Sequence, residues 1–186
     1  ESLPLAYSFV DEWMVSRLQQ TEAAMADAFN TYLFDLAAQT IYEFVWNEYC
    51  DWYVELAKVQ LNRGDEASQR ATRCVLVRVL EVILRLLHPI MPFITEELWQ
   101  TVAPLANAKH TDSIMIATWT VDDASKIKPD SLDKMAVLQD LMGAVRNLRG
   151  EMNLGPAVKA PLLIEGGADL DIYLPYLPMM ARLSEV

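Results

Sequence analysis

Apolar residues recur every three to four positions along most of this chain, which is the period of an amphipathic helix. In the first part of the chain this pattern predicts helices over residues 9–29, 35–58, 67–87 and about 92–102. A break at residues 30–32 and a polar turn at 62–67 separate the first three helices. Helices joined by such short connections pack as an antiparallel bundle.

The pattern changes after Pro104. Residues 106–130 are polar and loop-like, apart from a short apolar piece at 113–119 that is predicted to be extended. The remaining predicted elements are a helix over 131–152, a strand over 158–165 closed by Gly166-Gly167, and a truncated, proline-interrupted helix over 170–184. We therefore predict a mainly α fold, with an antiparallel four-helix-type bundle in residues 1–105 and a small α+β appendage in 106–186.

Antiparallel connectivity predicts which loops share an end of the bundle. The loops at residues 29–34 and 88–91 fall at one end, together with the first turn of the fourth helix at 94–98. The chain start and the turn at 62–67 fall at the other end. The segment HPIMPFITEELWQ, residues 88–100, predicts the corner itself: a helix stop, a proline-bounded turn and a new helix start.

Composition and charge exclude several classes of protein. The chain has 53% hydrophobic residues, enough for a core, and its net charge is −11. Neither residues 1–100 nor residues 101–186 carry more Lys and Arg than Asp and Glu, so charge alone does not predict a general nucleic-acid binder. We expect no membrane association, because no apolar run approaches the roughly 20 residues that span a bilayer.

Signatures of catalysis and of metal binding are absent from the sequence. It has no nucleotide-binding glycine loop, nucleophile elbow or metal-binding histidine motif, so we predict no catalytic residue, no metal ligand and no cofactor. Cys50 and Cys74 are isolated and are expected to be buried, reduced thiols of a cytosolic protein.

The second predicted helix contains a dense group of aromatic residues. They are Phe44, Trp46, Tyr49, Trp52 and Tyr53. Helix-core packing is the favoured interpretation, and a base-stacking platform is the alternative. Glu48 lies among them, and a buried carboxylate needs a partner. An Arg from a neighbouring helix is the predicted partner, with direct ligand contact as the alternative.

Two further features bear on RNA binding. Arg146 and Arg149 share one face of the fifth predicted helix, where they form either a solvated, acid-paired face or a contact to an RNA backbone. Asn30, Tyr32 and Phe34 lie in the loop between the first two helices. Single-stranded RNA loops are recognised by aromatic stacking and by hydrogen bonds to base edges, which these residue types provide without high net charge.

Four segments of the chain resemble the C-terminal part of bacterial-type class I valyl-tRNA synthetases. They are DEWMVSRLQQ (11–20), FDLAAQTIYEFVWNEYCDWYVELAK (34–58), RVLEVILRLLHPIMPFITEELWQ (78–100) and VRNLRGEMNLGP (145–156). The corner at residues 88–100, within the third segment, is shared by synthetases for bulky aliphatic amino acids. WNEYCDWY combined with RNLRGEMN points to valine. The alternatives are an isoleucyl or leucyl relative and an all-α protein-interaction module without RNA binding.

The resemblance implies a helical-bundle domain that recognises the anticodon stem-loop of a valine tRNA. The parent valine–tRNA ligase would use ATP and Mg to valylate its tRNA in the cytoplasm. The family's HIGH-like and KMSKS-like motifs are absent from this chain, so it is expected to be inactive by itself and to bind no cofactor. Its other partners would be the catalytic and editing domains of the parent, which is expected to be a monomer.

The resemblance and the predicted end of the bundle together select the candidate tRNA contacts. They are Phe34 for base stacking, Asn30 and Tyr32 for edge or backbone contacts, Arg17 for a phosphate or base, Glu97 or Leu98 from the fourth helix, and Asp35. Phe93 and the prolines around it are expected to be scaffold.

Overall fold

The computed structural model describes residues 4–155, 157–165 and 170–184. Its helices are α1 (Phe9–Asn30), α2 (Phe34–Glu43), a π-helical segment (Phe44–Tyr53), α3 (Val54–Arg63), α4 (Glu66–Leu87), α5 (Pro92–Leu105), α6 (Pro129–Glu151) and α7 (Leu177–Met180). The predicted mainly α fold is confirmed. Within the described ranges, none of the helices combines the length and the apolar character that crossing a membrane requires.

The first helix begins with reciprocal capping. The Ser8 hydroxyl accepts a bond from the backbone N–H of Asp11 (3.1 Å), and the Asp11 carboxylate accepts one from the backbone N–H of Ser8 (3.0 Å). This arrangement satisfies two backbone donors that the first turn leaves unpaired. In α4, the carboxylate of Asp65 caps the N–H of Ser68 (2.8 Å), which fixes where the polar turn ends.

The second predicted helix is longer than its pattern indicated and changes its winding. α2, the π segment and α3 follow one another directly, and the junction residues Glu43 and Tyr53 keep helical backbone angles. A π-helix has i→i+5 hydrogen bonds, so its side chains rotate less per residue than in an α-helix. The result buries Phe44 and Tyr53 completely and leaves Trp46 about half exposed.

One main hydrophobic core runs through the bundle and continues into α6. It takes Met14 from α1, Ile41 from α2 and Leu86 from α4, and Leu138 of α6 belongs to the same cluster. α6 packs against α1, and Tyr173 and Tyr176 contact the ring of Phe9 edge-on. The predicted division of the chain into residues 1–105 and 106–186 stays a prediction.

A buried polar cluster joins α1, the π segment and α4 near the start of the bundle. The Tyr53 hydroxyl of the π segment donates to the Asp11 carboxylate of α1 (2.7 Å), and the Thr72 hydroxyl of α4 lies 3.4 Å from the same carboxylate. Burial raises the pKa of the Asp11 carboxyl above its ordinary value. Such a cluster fixes the register of the three elements, because each buried polar atom needs its partner.

A second polar cluster fastens α5 and the following connector to α4. Glu81 is 2% exposed and accepts from the indole N–H of Trp99 (2.9 Å) and from the guanidinium of Arg85 (2.8 Å). The same guanidinium donates to the backbone carbonyl of Thr118 (3.0 Å). The charge of Glu81 is therefore paired inside the bundle, and the connector is bound to the end of α4.

Three elements predicted after Pro104 differ in the structure. Residues 113–119 are not extended throughout, because Ile114–Ile116 form a turn of 3-10 helix whose first N–H is fixed by Glu96. The predicted strand at 158–165 is wrong: its described residues make only one bridge, between Ala160 and Leu183, and a strand needs a paired ladder. The Gly166-Gly167 pair predicted to close it lies outside the described residues.

The predicted C-terminal helix is also largely wrong within the described residues. Turns occupy residues 171–176, and α-helix is restricted to Leu177–Met180. Pro175 and Pro178 explain this result, because proline removes a backbone donor and clashes with the preceding turn of a helix.

The carboxyl group of Glu22 makes stability depend on pH. Burial raises its pKa from 4.5 to about 6, while Arg85 and Lys126 lower it in part. The folded chain binds this proton more tightly than the unfolded chain, so stability falls as pH rises through this window. We therefore expect Glu22→Gln to be more stable than the parent at about pH 7.5 and to lose that advantage below about pH 4.5.

The measurement is urea denaturation at several pH values between those limits. Glu43→Gln is the matched control, because Glu43 is exposed on α2. Its substitution should not change how the free energy of unfolding varies with pH. If the free energies of unfolding of Glu22→Gln and of the parent vary with pH in parallel, the prediction is contradicted.

Candidate nucleic-acid interface

The turn between α1 and α2 places a bulky residue in a backbone conformation that usually belongs to glycine. Tyr32 has φ 61°, the N–H of Leu33 donates to the carbonyl of Ala28 (2.9 Å), and the N–H of Tyr32 donates to Phe29 (3.2 Å). These two bonds form a Schellman motif, in which the left-handed residue carries a steric cost unless it is glycine.

The same motif ends α5 and α6, where the left-handed residues are Asn107 and Asn153. Asparagine tolerates this conformation better than a large aromatic residue does. Strained backbone conformations are concentrated at functional sites. The tyrosine at this turn therefore marks the surface around it as a candidate functional site.

The turn carries a cluster of aromatic rings that we call the aromatic turn, consisting of Phe29, Tyr32, Phe34 and Trp119. The ring of Phe34 lies 5.9 Å from that of Phe29 and 6.2 Å from that of Tyr32. Trp119 contacts Phe29 edge-on at 5.5 Å. Tyr32 is 78% exposed and Phe34 57% exposed, so the outer rings are open to a partner.

The end of the bundle predicted from connectivity agrees with the structure. Arg85 lies in the last turn of α4 and holds the carbonyl of Thr118, next to Trp119, which contacts Phe29 of α1. The ends of α1 and α4 therefore lie on the same side. The corner after α4 is pinned by a bond between His88 and the hydroxyl of Thr95 (2.8 Å).

The corner lies beside α2 and the start of the π segment. Leu87, Ile90 and Met91 line an apolar groove of about 270 Å³ together with Ala38, Ile41, Tyr42, Val45 and Trp46. The lining is almost entirely apolar and offers little to bond a base edge. We therefore place the candidate interface at the aromatic turn and not in the groove.

The structure shows which residues of α5 lie on the surface and which lie in the core. Glu97 and Leu98, the candidate contacts, are exposed. Phe93 is 90% exposed, so its assignment to the scaffold is wrong. It lies in the first turn of α5, and Trp99, 0% exposed, takes the core position on this helix.

Arg17 is separated from the aromatic turn and already has a partner. Its guanidinium makes two bonds to the Glu48 carboxylate, at 2.7 and 2.6 Å. This ion pair confirms the predicted pairing of Glu48 with an arginine from a neighbouring helix. Asn30 follows Arg17 by thirteen positions along α1, which at 1.5 Å per residue is about 20 Å along the axis. The two residues do not contact one base together.

The remaining candidates around the turn are exposed. Asn30 is the last residue of α1, and Asp35 lies in the first turn of α2, where its charge suits the helix dipole. Asp27, whose carbonyl accepts from the Thr31 hydroxyl (2.7 Å), adds a second acidic residue. Residues 27–35 contain no lysine or arginine, so this segment itself supplies no cation to neutralise a phosphate.

The arginines of α6 lie against other elements of the fold. Arg146 is exposed, and its guanidinium lies 5.6 Å from the centre of the Trp52 ring. Arg149 donates to the backbone carbonyls of Gly155 (3.2 Å) and Val158 (2.8 Å), which secures the segment after the helix. Any role of either residue at an RNA backbone stays a prediction.

Two aspects of the surface were missed by the sequence analysis. Trp119 ends the short apolar piece at 113–119, and no periodicity connects it to Phe29. Tyr42 is 62% exposed although it lies on a helix with a broad apolar stripe. In residues 4–155, 157–165 and 170–184, no group of three or more potential ligand side chains is arranged to hold a metal ion.

Comparison with known proteins agrees with the family indicated by the sequence. A family profile described as "Anticodon-binding domain of tRNA ligase" matches residues 11–164. The chain is 68% identical to the valine–tRNA ligase of Laribacter hongkongensis and 65% identical to that of Chromobacterium violaceum, in each case over 100% of this chain and 20% of the relative. Identity to the valine–tRNA ligase of Neisseria meningitidis serogroup B is 62%, over 98% of this chain and 19% of the relative. The chain thus spans about a fifth of the length of these relatives.

Proposed function

We propose that this chain binds the anticodon stem-loop of a valine tRNA. The chain belongs to the family of anticodon-binding domains of tRNA ligases. The relatives named valine–tRNA ligase favour this interpretation over an isoleucine or leucine relative. They also favour it over a protein-interaction module.

The observation that carries the proposed site is the aromatic turn. Phe34 and Tyr32 expose their rings at the end of a rigid bundle, and Phe29 lies behind Phe34. Unstacked bases of an RNA loop pack on such rings, and each stacked base contributes about 1–3 kcal/mol. We assign base stacking to Phe34, and edge or backbone contacts to Asn30 and Tyr32.

The charge of the surface restricts how the site binds RNA. The chain carries a net charge of −11, and Arg17 is paired with Glu48. Neutralisation of phosphates contributes most of the affinity in many nucleic-acid complexes. Here stacking would hold the unstacked bases and edge contacts would discriminate between tRNAs, while the other domains of the ligase would provide most of the affinity.

The proposed full-length ligase joins valine to its tRNA in the cytoplasm, using ATP and Mg. That chemistry would take place in the catalytic domain of the ligase, which, like its editing domain, is not part of this chain. This part would contribute no reacting group and would act by holding the distal end of the tRNA. The oligomeric state we propose for the ligase is a monomer.

The test is anticodon dependence. The full-length ligase is titrated with a valine tRNA transcript and with the same transcript carrying replaced anticodon bases. We expect at least about tenfold weaker binding of the second, since stacking tolerates any base but each mismatched hydrogen bond to a base edge costs about 1–3 kcal/mol. Replacements in a loop away from the anticodon serve as the control. Equal affinity for all three transcripts would contradict the proposed function.

A further inference from the structure

We infer that Trp119 is a positioning residue for the proposed anticodon site, acting on Phe34 through Phe29. The inference rests on the proposed function, because it concerns how that site is held. Trp119 lies in the connector between α5 and α6, outside every helix. It contacts the ring of Phe29 at 5.5 Å, and the ring of Phe29 contacts that of Phe34 at 5.9 Å.

The connector is fixed on both sides of Trp119. On one side the carbonyl of Thr118 accepts from Arg85 of α4 (3.0 Å). On the other, the N–H of Asp123 donates to the side-chain oxygen of Gln19 of α1 (2.7 Å). Two such anchors hold the connector between α4 and α1, so the indole ring is held against Phe29.

The contacts of Phe34 show why this support matters. Phe34 is more than half exposed and follows a turn that contains a strained tyrosine. An exposed ring changes rotamer readily unless neighbours restrict it. A tilted contact with Phe29 and an edge-on contact with Tyr32 provide that restriction. Trp119 packs against the same cluster through Phe29.

A double-mutant cycle in the full-length ligase tests the inference. Aromatic pairs contribute about 0.5–1.5 kcal/mol, so Trp119→Ala should weaken binding of valine tRNA by about twofold to tenfold. It should leave unchanged the binding of a transcript whose anticodon nucleotides lack their bases, because Phe34 then has no base to stack on. In the Phe34→Ala background, Trp119→Ala should have no further effect, because its effect passes through Phe34.

Two variants keep the test interpretable. Trp119→Phe preserves a ring against Phe29 and should restore most of the affinity, even where the alanine variant loses stability. Trp46→Ala is the matched control, since Trp46 is about half exposed and lies on the π segment outside the aromatic turn. It should bind valine tRNA as the parent does.

The outcomes separate this inference from the proposed function. If the losses of affinity in Trp119→Ala and Phe34→Ala are additive, this inference is overturned, because Trp119 would then act independently of Phe34. If Trp119→Ala binds valine tRNA as the parent does, and the parent still shows anticodon dependence, this inference is overturned while the proposed function stands. If the parent ligase shows no anticodon dependence, the proposed function fails first.

Discussion

Replacement of Glu81 by alanine is expected to lower the free energy of unfolding by about 3–5 kcal/mol, the cost of removing one partner from a buried ion pair. Glu81 is 2% exposed and accepts from both Trp99 and Arg85. Alanine leaves the indole N–H without its acceptor and the guanidinium without its counter-charge. It also weakens the attachment of α5 to α4, because Trp99 is completely buried between them.

Urea denaturation measures this loss as a shift of the midpoint at an unchanged slope. Glu81→Gln should be less damaging, because the amide oxygen still accepts one bond while the charge is lost. Glu55→Ala is the matched control: Glu55 forms an ion pair with Lys58 and its side chain is 43% exposed, so the cost should stay below about 1 kcal/mol. A similar loss in Glu81→Ala and Glu55→Ala would show that the buried cluster does not stabilise the fold.

The second large effect is expected on RNA binding. Phe34→Ala in the full-length ligase should weaken binding of valine tRNA by about fivefold to a hundredfold, the range of one stacked base. The ring is 57% exposed, so the stability of the domain should change little. Filter binding measures the affinity, and circular dichroism checks the fold.

Tyr42→Ala is the matched control for Phe34→Ala. Tyr42 lies two turns further along α2 and is exposed to a similar extent, at 62%, but it faces the apolar groove. Its substitution should leave tRNA affinity unchanged. Equal losses in the two variants would indicate a broad apolar surface instead of a stacking site, and no loss in Phe34→Ala would remove that residue from the site.

Local patterns predicted the helices well because a helix is built from contacts between neighbours in the sequence. The predicted ranges 9–29 and 67–87 fall within one residue of α1 and α4. The period of apolar residues and the polar breaks contain the necessary information. The continuous helical segment from Phe34 to Arg63 was predicted too short, as residues 35–58. The sequence gives no simple signal that a helix will change from α to π winding.

Predictions after Pro104 were weaker for a physical reason. A strand depends on a partner that lies elsewhere in the chain, and residues 158–165 make one bridge only. Exposure is likewise decided by packing. Phe93 looked like scaffold in the sequence, yet it lies on the outer side of α5 while Trp99 occupies the core.

The sequence by itself determined the helical bundle, the end at which its loops meet, and the pairing of Glu48 with an arginine of another helix. The tertiary structure alone decided which rings meet at that end. It brought Trp119 against Phe29 and kept Arg17 away from the aromatic turn. Helical periodicity records only contacts within an element, whereas the site depends on anchors such as Arg85 to Thr118, which join residues distant in sequence.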